Sequence, residues 1–226
     1  MWRTCRLTPR LSPRHAQPLR RLSAATTSPH VVIGTYTIDT GYARGHAPGA
    51  YVAALDSATG ALSIVDTVTS SIGINPAYAA HSPERSAVYI TNEVVEGVVK
   101  AFSCCPETKR LTYLNEQPCG GEGPCFLAIG PGPLVYCANY FSGELTAFTT
   151  EADGSLAPGV TTPLPGAVSF PGPCEVRQDG PHAHCFVPAG DGGLAFSADL
   201  GSDEIVVVSV DAATAQVSVV SRLALP

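Results

Sequence analysis

The chain has 226 residues, 45% of them apolar, enough to bury the core of one globular domain. Its 22 glycines and 20 prolines are too many for a helical protein and too few for a low-complexity chain, so short strands joined by turns are expected. The net charge of −6 is unevenly spread: Arg3, Arg6, Arg10, Arg14, Arg20 and Arg21 precede the first acid, Asp39, and beyond them only seven basic residues oppose 19 acidic ones, which excludes the basic stripe a nucleic acid partner needs.

Residues 1–29 are rich in Arg, Ser and Thr, free of acids, and lack the apolar run of a secretory signal. They read as a disordered transit peptide for a mitochondrion or plastid, with the cytoplasm as the destination otherwise. No window reaches the roughly 18 apolar residues of a membrane span, so no membrane partner is expected. Residues 30–226 form the body. Near its start "GYARGHAPG" (41–49) is glycine-rich and basic, but it lacks phosphate-loop spacing and precedes no helical pattern, so it reads as a flexible loop.

From residue 49 the chain repeats itself. "GAYVAALDSATGALSIVDTV" (49–68) holds two strands around the turn "DSATG". The stretches 75–114, 123–159 and 180–220 then follow one plan. Each opens on Pro with a short apolar run, turns, runs through an apolar strand ending in Asn92, Asn139 or Asp199, turns again into "GVVKAF", "GELTAF" or "EIVVVSV", and closes with a polar turn and a last strand. Four short strands per unit, at a period of roughly 45 to 60 residues, predict propeller blades, here near 31–73, 74–121, 122–179 and 180–226. Strands such as "AVYITNE" are almost wholly apolar, as expected where neighbouring blades cover both faces. A β-sandwich shares the strand spacing but rarely so regular a tandem period.

The eight cysteines include the adjacent pair Cys104 and Cys105 and no C-x-x-C, and their spacings match no zinc template. Free thiols are expected, with neither metal nor cofactor.

In order along the chain, "IGTYT", "YVAALDSATGALS", "NPAYAAHSPE", "VYITNE", "PCFLAIGPGPLVYCANYFSGELTAF" and "RQDGPHAHCFVPAGDGGLAFSADLGSDEI" resemble the lactonase family of seven-bladed propellers, which includes propeller-type 6-phosphogluconolactonases and carboxymuconate-lactonising cyclases. The resemblance implies an all-β fold of that type, reduced here to about the first three to four blades. It also implies a lactone hydrolase acting on a small sugar lactone, foremost the 6-phosphogluconolactone of the pentose phosphate pathway. The alternatives are the cyclase reaction, a non-catalytic binding scaffold, or an inactive fragment. Two departures stand out: Phe126 occupies a position where the family often has His, and the chain stops before an Arg and a Glu that the family adds to its cleft. Open blade edges lead us to expect self-association.

The candidate chemistry centres on "RQDGPHAHCF" (177–186). On a strand His182 and His184 would share a face, and either imidazole can serve as general base for water attacking a lactone carbonyl. The resemblance implies that the family's cleft uses a histidine of this motif, with the choice between the two open, as is a packing role for either. Arg177 could stabilise the oxyanion or hold an anionic substituent. A metal on H-x-H, completed by Asp199 or Glu93, is the weaker reading, since two His fall short of three fixed ligands. Asn92, Asn139 and Asp199 share one offset and suit turn closure, whereas the residue after each lies at the channel mouth. Glu93, Asn139 and Tyr140 are the expected substrate contacts.

Overall fold

In a computed structural model the described residues are 28–164, 170–190 and 193–225, and they form fifteen strands with no helix among them. The expected leader, 1–29, lies outside the described residues except for Ser28 and Pro29. The strands make four antiparallel meanders. The first holds β1 (His30–Ile33), β2 (Ala50–Leu55) and β3 (Leu62–Val68); the second β4 (Pro76–Ser82), β5 (Ala87–Asn92), β6 (Val98–Cys104) and β7 (Leu111–Pro118). The third comprises β8 (Pro124–Ile129), β9 (Leu134–Asn139), β10 (Glu144–Thr149) and β11 (Val160–Pro163); the fourth β12 (Val187–Pro188), β13 (Leu194–Asp199), β14 (Glu204–Val210) and β15 (Val217–Ala224).

The cores decide between sandwich and propeller. Two facing layers would enclose one core, whereas here three separate clusters each lie between consecutive sheets. Val52 and Ile72 meet Ile90 and Phe102 between the first two sheets. Tyr89 and Val99 meet Val135 and Phe148 between the next two, and Tyr136 stacks on Phe186 (4.3 Å, 12°) between the last two. This explains why β5 and β9 are buried at every position, while β14 alternates buried and half-buried residues. The sheets also interlock through polar groups: Tyr89 Oη donates to Gly154 O (2.9 Å), and Asn115 exchanges two hydrogen bonds with the backbone of Leu156 (2.8 and 2.9 Å).

One turn recurs between the third and fourth strands. Asp56 N–H donates to Ala61 O (2.9 Å) and Gly60 N–H to Asp56 O (2.7 Å); Cys105 and Lys109, then Asp211 and Ala215, repeat the pattern. Gly60, Lys109 and Ala215 all sit in the left-handed region, at φ 75, 59 and 58°. The turn identifies β2 and β3 as third and fourth strands and β1 as a second strand, so the first sheet lacks an innermost strand and the inner edge of β1 is unpaired among the described residues.

Candidate functional site

A second recurring bond builds the mouth. The N–H after β5, β9 and β13 donates to the carbonyl just ahead of the inner run: Glu93 to Asn75 (2.9 Å), Tyr140 to Gly123 (2.9 Å) and Leu200 to His182 (3.1 Å). The pairs Pro76 with Asn92, Pro124 with Asn139 and Ala183 with Asp199 match in the same way. Hence Ala77, Cys125 and His184 are equivalent, and so are Glu93, Tyr140 and Leu200. All lie at one end of the sheets, beside the innermost strands, whose Tyr78 and Phe126 rings meet at 4.8 Å.

Residues 181–186 are not the strand that alternation requires. Only Ala183 bridges β13, while His182 N–H donates to Asp199 Oδ1 (2.7 Å) and His184 N–H to Ala198 O (2.9 Å). Off a regular pleat the two imidazoles therefore part: His182 is buried and His184 exposed. They nonetheless meet at one ring. His182 stacks on Tyr140 (4.7 Å, 20°) and His184 stands edge-on to it (5.6 Å, 86°). His182 Nδ1 lies 2.8 Å from Tyr140 O and Nε2 2.9 Å from Asp179 Oδ1, so both nitrogens are engaged by protein acceptors and neither faces a free site. The hydrogen bond from His182 holds the Asp179 carboxyl below its ordinary value. The ring of His184 makes no hydrogen bond among the described residues.

Arg177, in the irregular stretch that follows the third sheet, donates from Nε to Tyr140 Oη (3.1 Å) and places its guanidinium carbon 5.9 Å from the Tyr140 centroid. Arg177, His182, His184 and Tyr140 are thus brought together. Asn139 is not: at 0% exposure its amide donates to Cys119 O (3.2 Å) and Thr146 Oγ1 (3.1 Å), so it braces the blade from inside. Asp199 likewise closes its turn, its Oδ1 accepting the N–H groups of His182, Gly201 (2.9 Å) and Ser202 (3.4 Å). No group of three or more His, Cys, Asp or Glu among the described residues is arranged to hold a metal.

Glu93 belongs to a second cluster that sequence reasoning missed. Its Oε1 accepts Tyr36 Oη–H (2.7 Å) and Tyr42 Oη–H (3.4 Å), and Tyr42 meets Phe141 (5.9 Å, 72°), which in turn meets Tyr140 (5.7 Å, 73°). Burial first, then the Glu93 carboxylate, pushes both phenols above their ordinary value, so both remain donors. Between the clusters lies Cys125, its Sγ 3.8 Å from the carbonyls of Ala183 and His184. Burial, with the Glu93 charge second, pushes its thiol up to about 12, which removes it as a nucleophile at neutral pH.

The tyrosines arrive on residues 34–49, expected to be a flexible loop in part and found tied down. Asn75 Oδ1 accepts the N–H groups of Thr37 (3.0 Å) and Ile38 (3.3 Å), and Thr37 Oγ1 accepts Asn75 N–H (3.0 Å). At the loop's root a Cβ on Gly34 would lie 2.1 Å from Ala77 O, so only glycine lets β1 end this close to β4. The only local sign in the sequence was Tyr42 alone among glycines. A cavity of about 360 Å³ between the first two sheets, lined by His30, Val52, His81 and Leu111 among others, involves none of these residues. The mouth is an open arc of side chains.

Residues 30–226 match the family described as "Lactonase, 7-bladed beta-propeller". The chain is 31% identical over 175 residues to the 6-phosphogluconolactonase of Bacillus subtilis (strain 168), covering 76% of this chain and 47% of that protein. It superposes on a candidate 6-phosphogluconolactonase of Bacteroides fragilis with a TM-score of 0.76 at 26% identity, over 90% of this chain and 56% of the other. For the periplasmic gluconolactonase of Pseudomonas aeruginosa the TM-score is 0.67 at 25% identity, over 79% and 49%. The chain spans about half the length of the relatives it matches.

Proposed function

We propose, from the premise that the chain belongs to the lactonase family of seven-bladed propellers, that its mouth hydrolyses a sugar lactone of the 6-phosphogluconolactone type. The names of its relatives support this substrate class. The observation that carries the mechanism is the division of labour around Tyr140: one imidazole has both nitrogens engaged and the other has none engaged among the described residues. His184 is the general base. It takes a proton from water as the oxygen attacks the lactone carbonyl; the tetrahedral intermediate collapses, the ring C–O bond breaks, and the proton passes to the leaving ring oxygen to give the hydroxy acid. The guanidinium of Arg177, steadied through Nε by Tyr140, offers its remaining N–H groups to the oxyanion or to a phosphate. His182 positions Tyr140 rather than reacting.

The test is turnover of 6-phosphogluconolactone, with carboxymuconate assayed alongside for the cyclase reaction. His184→Ala is expected to lower kcat by roughly 10²- to 10⁴-fold, the usual share of a general base. A folded His184→Ala protein as active as its parent would return the chain to the reading of a non-catalytic scaffold. We further propose that residues 1–29 direct the protein to a mitochondrion or plastid, which a fluorescent fusion carrying those residues tests. Self-association through exposed apolar surface and the edge of β1 that is unpaired among the described residues completes the proposal, and neither nucleic acid nor membrane is a partner in it. Among the described residues no helix is long and apolar enough to cross a membrane.

A further inference from the structure

The loop carrying Tyr36 and Tyr42 has no part in the chemistry assigned to His184, yet it is tied down by hydrogen bonds to Asn75 and Glu93. Leaving the first sheet, it is pinned by Asn75 of the second and lays Tyr42 against Phe141 of the third. Tyr42 is 58% exposed and Phe141 39%, so two touching rings offer an apolar edge to solvent beside a carboxylate. That carboxylate is half used. Both phenols converge on Glu93 Oε1, while Oε2 makes no hydrogen bond among the described residues and is not sealed from water. Two donors on one oxygen fix the plane of the carboxylate and leave the other oxygen as a preset acceptor.

A carboxylate oxygen beside an exposed aromatic edge suits one chemical class: a ring with a hydrocarbon face and hydroxyl groups at its rim. The apolar face packs on Tyr42 and Phe141, and the hydroxyl donates to Glu93. An anionic substituent is repelled by Glu93 and directed to Arg177, beyond Tyr140. We infer that Tyr42, Phe141 and Glu93, with Tyr36 as a positioning residue behind them, form a hydroxyl-reading subsite that selects polyhydroxylated lactones over bare ones. The inference rests on the lactonase reading and adds its specificity determinant. Were the cluster merely a clamp for the loop, its loss would lower stability without altering the choice between substrates.

The experiment compares kcat/KM for glucono-δ-lactone and δ-valerolactone, two six-membered cyclic esters with and without hydroxyls, in the parent chain, Glu93→Gln, Tyr42→Phe and Tyr36→Phe. Glu93→Gln should reduce the ratio roughly 10- to 100-fold, as losing a hydrogen bond to a charged acceptor requires. Tyr36→Phe should reduce it less. A ratio unchanged within two-fold in Glu93→Gln, with melting intact, overturns the subsite. Should the parent open neither lactone, the lactonase reading is judged by turnover of 6-phosphogluconolactone and the subsite by binding alone. Saturation-transfer NMR with 1,5-anhydroglucitol, which has the hydroxyls but no ester and no charge, should then show transfer in the parent that is lost in Glu93→Gln and in Tyr42→Ala. Absence of transfer in the parent overturns it.

Discussion

His182 and His184 stand two residues apart, and strand alternation alone predicts that they act alike. They are not placed alike, because the segment carrying them makes a single bridge to β13, and pleat geometry constrains side chains only where the ladder continues. The motif was therefore legible from the sequence and the assignment within it was not: which imidazole is free depends on Asp179 and on the carbonyl of Tyr140, neither of which periodicity can aim. His182→Ala is expected to destabilise the fold by about 1–3 kcal/mol, since it strips two acceptors of their partner and removes a buried ring stacked on Tyr140. For His184→Ala, at an exposed site, the melting temperature should stay within a degree or two of the parent's while turnover collapses. Thermal melts of the two variants, read beside their activities, separate the roles. Asn75 makes the same point. At φ 47° it tolerates the left-handed backbone while its Oδ1 accepts two N–H groups of the loop. Asn75→Gly keeps the backbone freedom and loses those bonds, so it should cost about 1–3 kcal/mol in a denaturation curve.

The strands themselves were the most legible feature. "AVYITN" and "LVYCAN" are apolar at nearly every position because each lies between two sheets, and the structure buries both without exception. Their turns were legible as polar clusters, but not as copies of one hydrogen-bonded design, since glycine, lysine and alanine fill its left-handed position in turn. That substitution pattern can be tested. A Cβ at Gly60 would meet nothing within 4 Å, so Gly60→Ala isolates the backbone cost and should destabilise by about 1–2 kcal/mol. Lys109→Gly should do the reverse and gain up to about 1 kcal/mol, the relief of strain being partly offset by the entropy of glycine. Ala215→Gly should be close to neutral, because Ala215 is buried and losing its methyl group costs about as much as the strain. The same turns set an acid limit. Asp56 and Asp211 accept N–H groups, Asp153 in the third sheet's own turn accepts the Ser155 hydroxyl and then its N–H, and those bonds hold each carboxyl below its ordinary value of 3.8. A folded value lowered in this way contributes stability in full above the unfolded value and loses it as pH falls through the folded one. The melting temperature should accordingly be insensitive to these groups above about pH 5 and decline on acidification below about pH 4, a profile that calorimetry resolves.

At the scale of the molecule, the sheets of a propeller differ only in what lies beside them, and the two end sheets bear on the expected self-association. Leu194 and Phe196, each 40% exposed, lie on the same face of the fourth sheet, where β13 alternates outward and buried residues; in the third sheet the equivalent strand, β9, is buried on both sides. The first sheet adds the inner edge of β1, unpaired among the described residues. A face of this composition is what blades elsewhere in this chain bury against a neighbour, and at about 25 cal/mol per Å² even a few hundred Å² of it favours contact by several kcal/mol before the entropy of association is subtracted. The 226-residue chain is therefore expected to show a weight-average mass that rises with concentration in sedimentation equilibrium. Phe196→Glu puts a charge at the centre of the exposed face without touching the three inter-sheet cores, and should shift the distribution towards monomer while leaving the melting transition in place. A parent chain that sediments as a sharp monomer at every concentration, and melts in one cooperative step, would mean that four sheets with one bare face are stable in water as they stand.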